Sequence, residues 1–157
     1  MVLFAYLALA AAPPEDRLPP AQALPPPTGE EQSVLSTVNA LLATLSTGDS
    51  RAMLRWVYPD GRVTATGTRA NSSGLRQESW AQFAQRITPS AAFQETISDP
   101  AIEIDGDAAL VWAPFVVRVN GKVANCGFDH FDLVRDQGTW KVMNLTFSSR
   151  VEGCPAQ

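Results

Sequence analysis

The chain predicts an α+β domain in which helices gather on one face of a curved, mainly antiparallel sheet. Three observations carry this. Helical periodicity is confined to the N-terminal half, alternating apolar strands follow one another beyond residue 93, and short Gly-containing turns join them. With 157 residues, 45% of them hydrophobic, there is enough chain for one domain with a proper core and no room for a second.

The first segment stands apart. Residues 1–12 form an apolar run, too short to span a bilayer but suited to the apolar region of a secretory signal, and Ala8-Leu9-Ala10 supplies a small-x-small cleavage pattern. No Lys or Arg precedes the run, so a basic n-region is missing. Export to the periplasm or medium is the expectation, with no membrane contact after cleavage. Residues 13–29 hold most of the prolines and read as a disordered tether, leaving residues 30–154 as the domain.

Thr28 and Glu31 offer a capping box, and Val34, Leu35, Val38, Leu41, Leu42 and Leu45 then mark one face of an amphipathic helix that Gly48 ends. Asp49 or Ser50 can cap a second, shorter helix through Met53, Leu54 and Val57, stopped by Pro59 and Gly61. Residues 62–66 make a short strand, residues 68–74 a loop, and Trp80, Phe83, Ala84 and Ile87 a third helix closed by Pro89. Strands over residues 93–104, 108–119, 122–135 and 140–148 complete the chain, the middle two joined by Asn120-Gly121, a strong hairpin signal.

A two-residue turn there sets Val119 opposite Lys122 and brings Trp112 against Asp129. On that face sit Leu110, Pro114, Val116 and Arg118, with Val123, Asn125, Gly127, Phe131 and Leu133 from the partner strand. The face reads as one wall of a small-molecule pocket. Pro114 lies inside a strand, where a bulge would shift the pairing upstream. Val111, Ala113, Phe115, Val117, Cys126 and Phe128 fall on the other, convex face, whose apolar character asks for cover. A two-fold dimer packed sheet to sheet through it is the expected answer.

These residues resemble the nuclear transport factor 2-like superfamily, which includes SnoaL-like polyketide cyclases and ketosteroid isomerases. The resemblance is carried by the element order and by residues 107–115, Gly121-Lys122, residues 126–129, 131–135 and 138–142. It spans residues 30–154 and is greatest to an uncharacterised bacterial subgroup labelled "putative lumazine-binding". The family implies a cone whose mouth lies between three N-terminal helices and the concave side of the sheet. Subgroup members often carry His before the Cys-Gly pair, where this chain has Asn125. The isomerases' catalytic aspartate and oxyanion tyrosine match no motif here.

Asp129, a carboxylate on an apolar wall beside Trp112 and Phe131, is the candidate general base, because burial raises its pKa toward a useful range. Asn125 is placed to donate to a substrate oxygen and Arg118 to hold an anion, with Tyr58, Trp56 and Trp80 lining the pocket or its mouth. The alternative is that Asp129 is paired and orders the sheet. His130, the single histidine, lies four residues from Cys126, roughly 13 Å along a strand, which rules out a direct dyad. One His and two Cys make no metal set, and no cofactor is expected. Cys126 and Cys154 read as a disulfide in an exported protein. Asn71 and Asn144 begin glycosylation triplets, the second inside a strand.

A formal charge of −4 and 12 scattered Lys and Arg exclude a clustered basic surface for nucleic acid. Three functions stay open: binding a small apolar molecule, isomerase, cyclase or dehydratase chemistry with Asp129 abstracting a proton next to a carbonyl, or a structural module whose cone is filled by its own side chains. The surroundings of Asp129 discriminate among them.

Overall fold

A computed structural model describes residues 26–69, 72–89 and 93–155. The signal expected at 1–12, residues 13–25 of the tether expected at 13–29, and Asn71 lie outside the described residues. Helix α1, Gly29–Thr47, starts at the expected capping box and stops where Gly48 turns left-handed at φ 67°. Helix α2 is only Ser50–Met53, with the Asp49 side chain accepting from the Ala52 N–H at 2.8 Å. It ends early because Val57 already belongs to strand β1, Val57–Arg69, which buries that side chain in a sheet.

The stretch expected as loop, 68–74, holds a short strand, β2, Ser72–Ser73, and just beyond it comes β3, Arg76–Ser79, both antiparallel to β1. Ser79 then caps helix α3, Trp80–Arg86, in a second capping box with Gln82. The strand expected over 93–104 is split into β4, Phe93–Ile97, and β5, Ala101–Asp105, by a kink at Ser98-Asp99-Pro100 where Asp99 takes φ 42°. Strands β6, Ala108–Val119, β7, Lys122–Asp136, and β8, Thr139–Ser149, follow within a residue of expectation.

The sheet runs β2-β1-β8-β7-β6-β4, with β3 also beside β1 and β5 also beside β6. Every pairing is antiparallel except β1 with β8, so the N-terminal strand closes the sheet against the C-terminal one. The helices cover one face. Between them, Val34, Val38 and Leu41 of α1, Trp80 of α3, and Val111, Phe131, Leu133 and Val142 of the sheet form the core. Trp80 is buried and donates its indole N–H to the Met143 carbonyl at 2.9 Å, a partner that a bulge in β8 exposes.

The β6–β7 hairpin corrects the expected register. Asn120 and Gly121 adopt φ 52° and 75°, and Val119 does lie opposite Lys122. Arg118 then pairs with Val123 but Val117 pairs with Asn125, so Ala124 is an extra residue in β7. Beyond this bulge every β6 side chain exchanges faces relative to β7. Ala113 meets Asp129, and Trp112 meets His130. Pro114 is not responsible: it pairs in register with Phe128, and its carbonyl accepts from the Ser98 N–H at 3.1 Å.

The face toward the helices is therefore Val111, Ala113, Phe115 and Val117 with Asn125, Gly127, Asp129 and Phe131. The outer face carries Leu110, Trp112 and Pro114 with Cys126, Phe128 and His130. Trp112 is 48% exposed there and stacks on Phe128 at 5.3 Å between ring centroids. Cys126 is covered, because its disulfide to Cys154 and its backbone pairing with Arg150 fold the C-terminal tail over it.

Candidate functional site

Between the helices and the far end of the β4-β6-β7-β8 sheet lies a cavity of about 290 Å³. Leu45 of α1, Phe83 of α3 and Ile87 just beyond it form the helical side; Phe93, Phe115, Val117, Val119, Leu145 and Phe147 form the sheet side. The polar lining is Glu95, Asn125, Thr88 and Arg86. Strand alternation explains the set. Phe93, Glu95 and Ile97 point to one side of β4, and Glu95, Val117 and Asn125 lie side by side across three strands.

Gly127 shapes the floor. A β-carbon there would lie 1.9 Å from the Ser148 carbonyl oxygen and 2.9 Å from the Phe115 ring, so only glycine lets β8 approach this closely while the ring lies over the strand. Phe115 in turn packs edge-on against Phe147 at 6.2 Å. Two residues further along β7, Asp129 is fully enclosed, 0% exposed, opposite Ala113 and Phe147.

Neither Asp129 oxygen accepts a hydrogen bond from any N–H or O–H of the described residues. Its polar neighbour is the Glu95 carboxyl, and two carboxyls bond only through a proton that one of them carries. Burial, and then the charge and hydrogen bond of Glu95, push the Asp129 pKa from 3.8 up to about 9. Asp129 therefore holds its proton well above the usual carboxylate range. Glu95 stands in the cavity wall and Asp129 does not, so a bound molecule would meet Glu95 first.

Of the residues singled out in the sequence, Asn125 lines the cavity and Asp129 lies on the same face of β7. Phe131, also on that face, is 0% exposed and belongs to the core. Trp80 is likewise core, and Trp56 packs against it from the segment before β1, with its carbonyl accepting from the Val142 N–H at 2.9 Å. Tyr58 in β1 and Arg118 in β6 are not part of the cavity lining. Trp112 stands on the outer face, moved there by the Ala124 bulge. His130 also faces outward, its Nε2 3.4 Å from Asp132. Asn144 is engaged within the sheet, its side-chain oxygen accepting from the Arg62 N–H at 3.1 Å.

Glu95 is the site residue that sequence reasoning missed. Its signal was present: residues 93–97 alternate, and a glutamate shares the face of Phe93 and Ile97. Arg86 lines the cavity, yet its guanidinium is committed to Glu78, with Nε 3.0 Å from a carboxylate oxygen, and lies over the Phe83 ring at 5.4 Å.

A family model described as "Putative lumazine-binding" matches residues 29–148, and the chain belongs to that family. Solved structures share the fold. A protein of unknown function with a cystatin-like fold from Nostoc punctiforme aligns at TM-score 0.63 and 14% identity, over 82% of this chain and 96% of that one. A protein titled "putative calcium/calmodulin dependent protein kinase II association domain" from Xanthomonas campestris aligns at 0.64 and 21%, over 83% and 94%. A "putative dehydratase" of the nuclear transport factor 2-like family from Streptomyces avermitilis aligns at 0.60 and 16%, over 76% and 94%. The fold is thus the nuclear transport factor 2-like, cystatin-like one expected from the sequence. A comparison with curated proteins finds no match.

Proposed function

We propose that this family member is an exported binding protein that takes a small, largely apolar molecule into the cone cavity and works as a dimer across its outer sheet face. The carrying observation is the cavity of about 290 Å³, walled mainly by aromatic and aliphatic side chains with a few polar groups on one side. Pockets of small-molecule sites have this makeup, and the size is at the small end of their range, suited to a ligand of one or two rings. A cone with such a void is not filled by its own side chains, which argues against a purely structural module. The disulfide supports an oxidising compartment. The exposed Leu110, Trp112 and Phe128 support an outer-face partner, here a second copy.

The test is titration of naphthalene, a neutral apolar probe, followed by its fluorescence. Saturable one-to-one binding is expected, lost in Val117→Trp, which fills the cavity. Non-saturable uptake overturns the reading. For the dimer, sedimentation equilibrium is expected to give twice the chain mass, reduced to one in Trp112→Glu.

A second reading, proton-transfer chemistry of the isomerase, cyclase or dehydratase kind, is favoured by one observation. The Asp129 carboxyl, beside that of Glu95, has its pKa pushed up to about 9, as for a carboxylic acid kept protonated next to a second carboxyl in one site. In that reading Glu95, not the enclosed Asp129, removes a proton next to a carbonyl, and Asn125 donates to the developing oxyanion. Deuterium exchange at the α-carbon of a cyclic ketone such as 2-tetralone, watched by NMR, tests it. Acceleration by the wild type and none by Glu95→Gln supports it; equal rates with and without protein reject it.

A further inference from the structure

We infer that Asn125 selects the ligand of this cavity, a molecule whose apolar ring body carries a neutral cis-amide edge, an N–H and a C=O side by side, that pairs with the Asn125 side chain through two hydrogen bonds. This rests on the small-molecule binding reading and names its ligand class. Two features of the cavity converge on it.

The first is an amide whose hydrogen-bonding capacity is unused. Asn125 lines the cavity and is only 8% exposed. Its side chain hydrogen-bonds to no described residue. The other polar groups of the lining differ from it: Glu95 bonds to Asp129, the Arg86 guanidinium is held by Glu78, and Thr88 is exposed. Buried amides are as a rule hydrogen-bonded, because an amide that loses water without gaining a partner is destabilising. The bulge at Ala124 sets Asn125 opposite Val117, on the inward face, so the fold itself turns this amide toward the cavity.

The second feature is the wall around the amide. The next inward position of β7 is Gly127, and the Phe115 ring lies over it; Val117 flanks the amide on β6, and Phe147 meets Phe115 edge-on. The amide is a single polar spot in an aromatic and aliphatic surface, placed to meet the edge of a ligand whose body lies against the rings. An Asn side chain offers N–H donors and an oxygen acceptor in one plane, and both are present whichever way the amide is turned. A ligand edge with the complementary donor and acceptor satisfies both at once. A ketone or ester answers the N–H and leaves the oxygen bare, an ionised carboxylate does the same because it only accepts, and a hydrocarbon leaves both unpaired.

Calorimetric titration of the full chain with 2-quinolone and coumarin, beside the naphthalene titration above, tests the inference. The first two are bicycles that differ only in a ring N–H against a ring oxygen. 2-Quinolone is expected to bind at least about tenfold more tightly than coumarin, which leaves the Asn125 oxygen without a donor. N-methylated 2-quinolone, its donor blocked, should fall to the coumarin level, a check that needs no variant. Asn125→Leu, close in shape but without a hydrogen-bonding group, should abolish the preference while naphthalene still binds, which shows that the variant folds with its cavity intact. Equal or tighter binding of coumarin or of the N-methylated ring overturns the inference and leaves apolar binding standing. A preference that survives in Asn125→Leu also overturns it, as does naphthalene binding without any 2-quinolone binding. Failure of every probe removes the binding reading along with it.

Discussion

Residues 129 and 130 are adjacent on one strand and live in opposite worlds. Asp129 points toward the helices, is fully buried, and meets another carboxyl; His130 points outward beside Trp112, with Asp132 at 3.4 Å. The same alternation separates Val111, fully buried, from Trp112, half in solvent. A strand places successive side chains on opposite faces, so the identity of a residue matters less than the parity of its position. Parity in turn is set by one extra residue, Ala124, far along the partner strand.

The contrast can be broken most severely from the inner side. Phe131→Ala should cost about 3–5 kcal/mol by removing a fully enclosed ring from the core, read as a drop in the urea midpoint. Opening the cross-link should rank next. Cys126→Ser in a Cys154→Ser background is expected to lose about 3–4 kcal/mol through restored chain entropy, and the comparison to make is with reducing agent added to the wild type.

Asp129→Asn sharpens the comparison in the other direction. The folded carboxyl has its pKa at about 9 against an ordinary 3.8, so the folded state holds the extra proton between them. Stability from this group is full below pH 3.8 and is lost as the pH rises through 9, which makes Asp129 a growing liability in alkali. A neutral amide of the same shape should raise stability by about 2 kcal/mol at pH 8 and flatten the dependence, as seen in denaturant titrations across that range. A steeper dependence in the variant would contradict the assignment of the proton. The smallest effect should come from the outer neighbour: His130→Ala is expected to change stability by less than about 0.5 kcal/mol in the same assay.

Much of the molecule was legible from residues alone. Both β7 partners of the site, Asn125 and Asp129, were placed on one face by simple alternation, and the caps at Thr28 and Gly48 bounded α1 correctly. These are local decisions, made by hydrogen bonds and dihedral preferences within a few residues. The family resemblance supplied the cone. What failed involved partners distant in the chain. Trp112 was assigned to the pocket because the hairpin was extended without a bulge, and nothing about Ala124 marks it as the residue left over. Residues 93–104 read as one strand, yet the kink at Asp99 splits it where Pro100 follows.

The sequence by itself determined the fold class, the strand boundaries from β6 onward, the cysteine pair and the face that β7 turns inward. Each follows from periodicity, turn chemistry or composition, which act over short distances. Only the tertiary structure decided that Glu95 of β4 and Asp129 of β7 meet, with β6 lying between their strands. That meeting depends on the bulge, on Gly127 letting β8 close in, and on the exclusion of water. A buried carboxyl acquires its chemistry from its surroundings, and those are assembled by chain segments that the local pattern never places side by side.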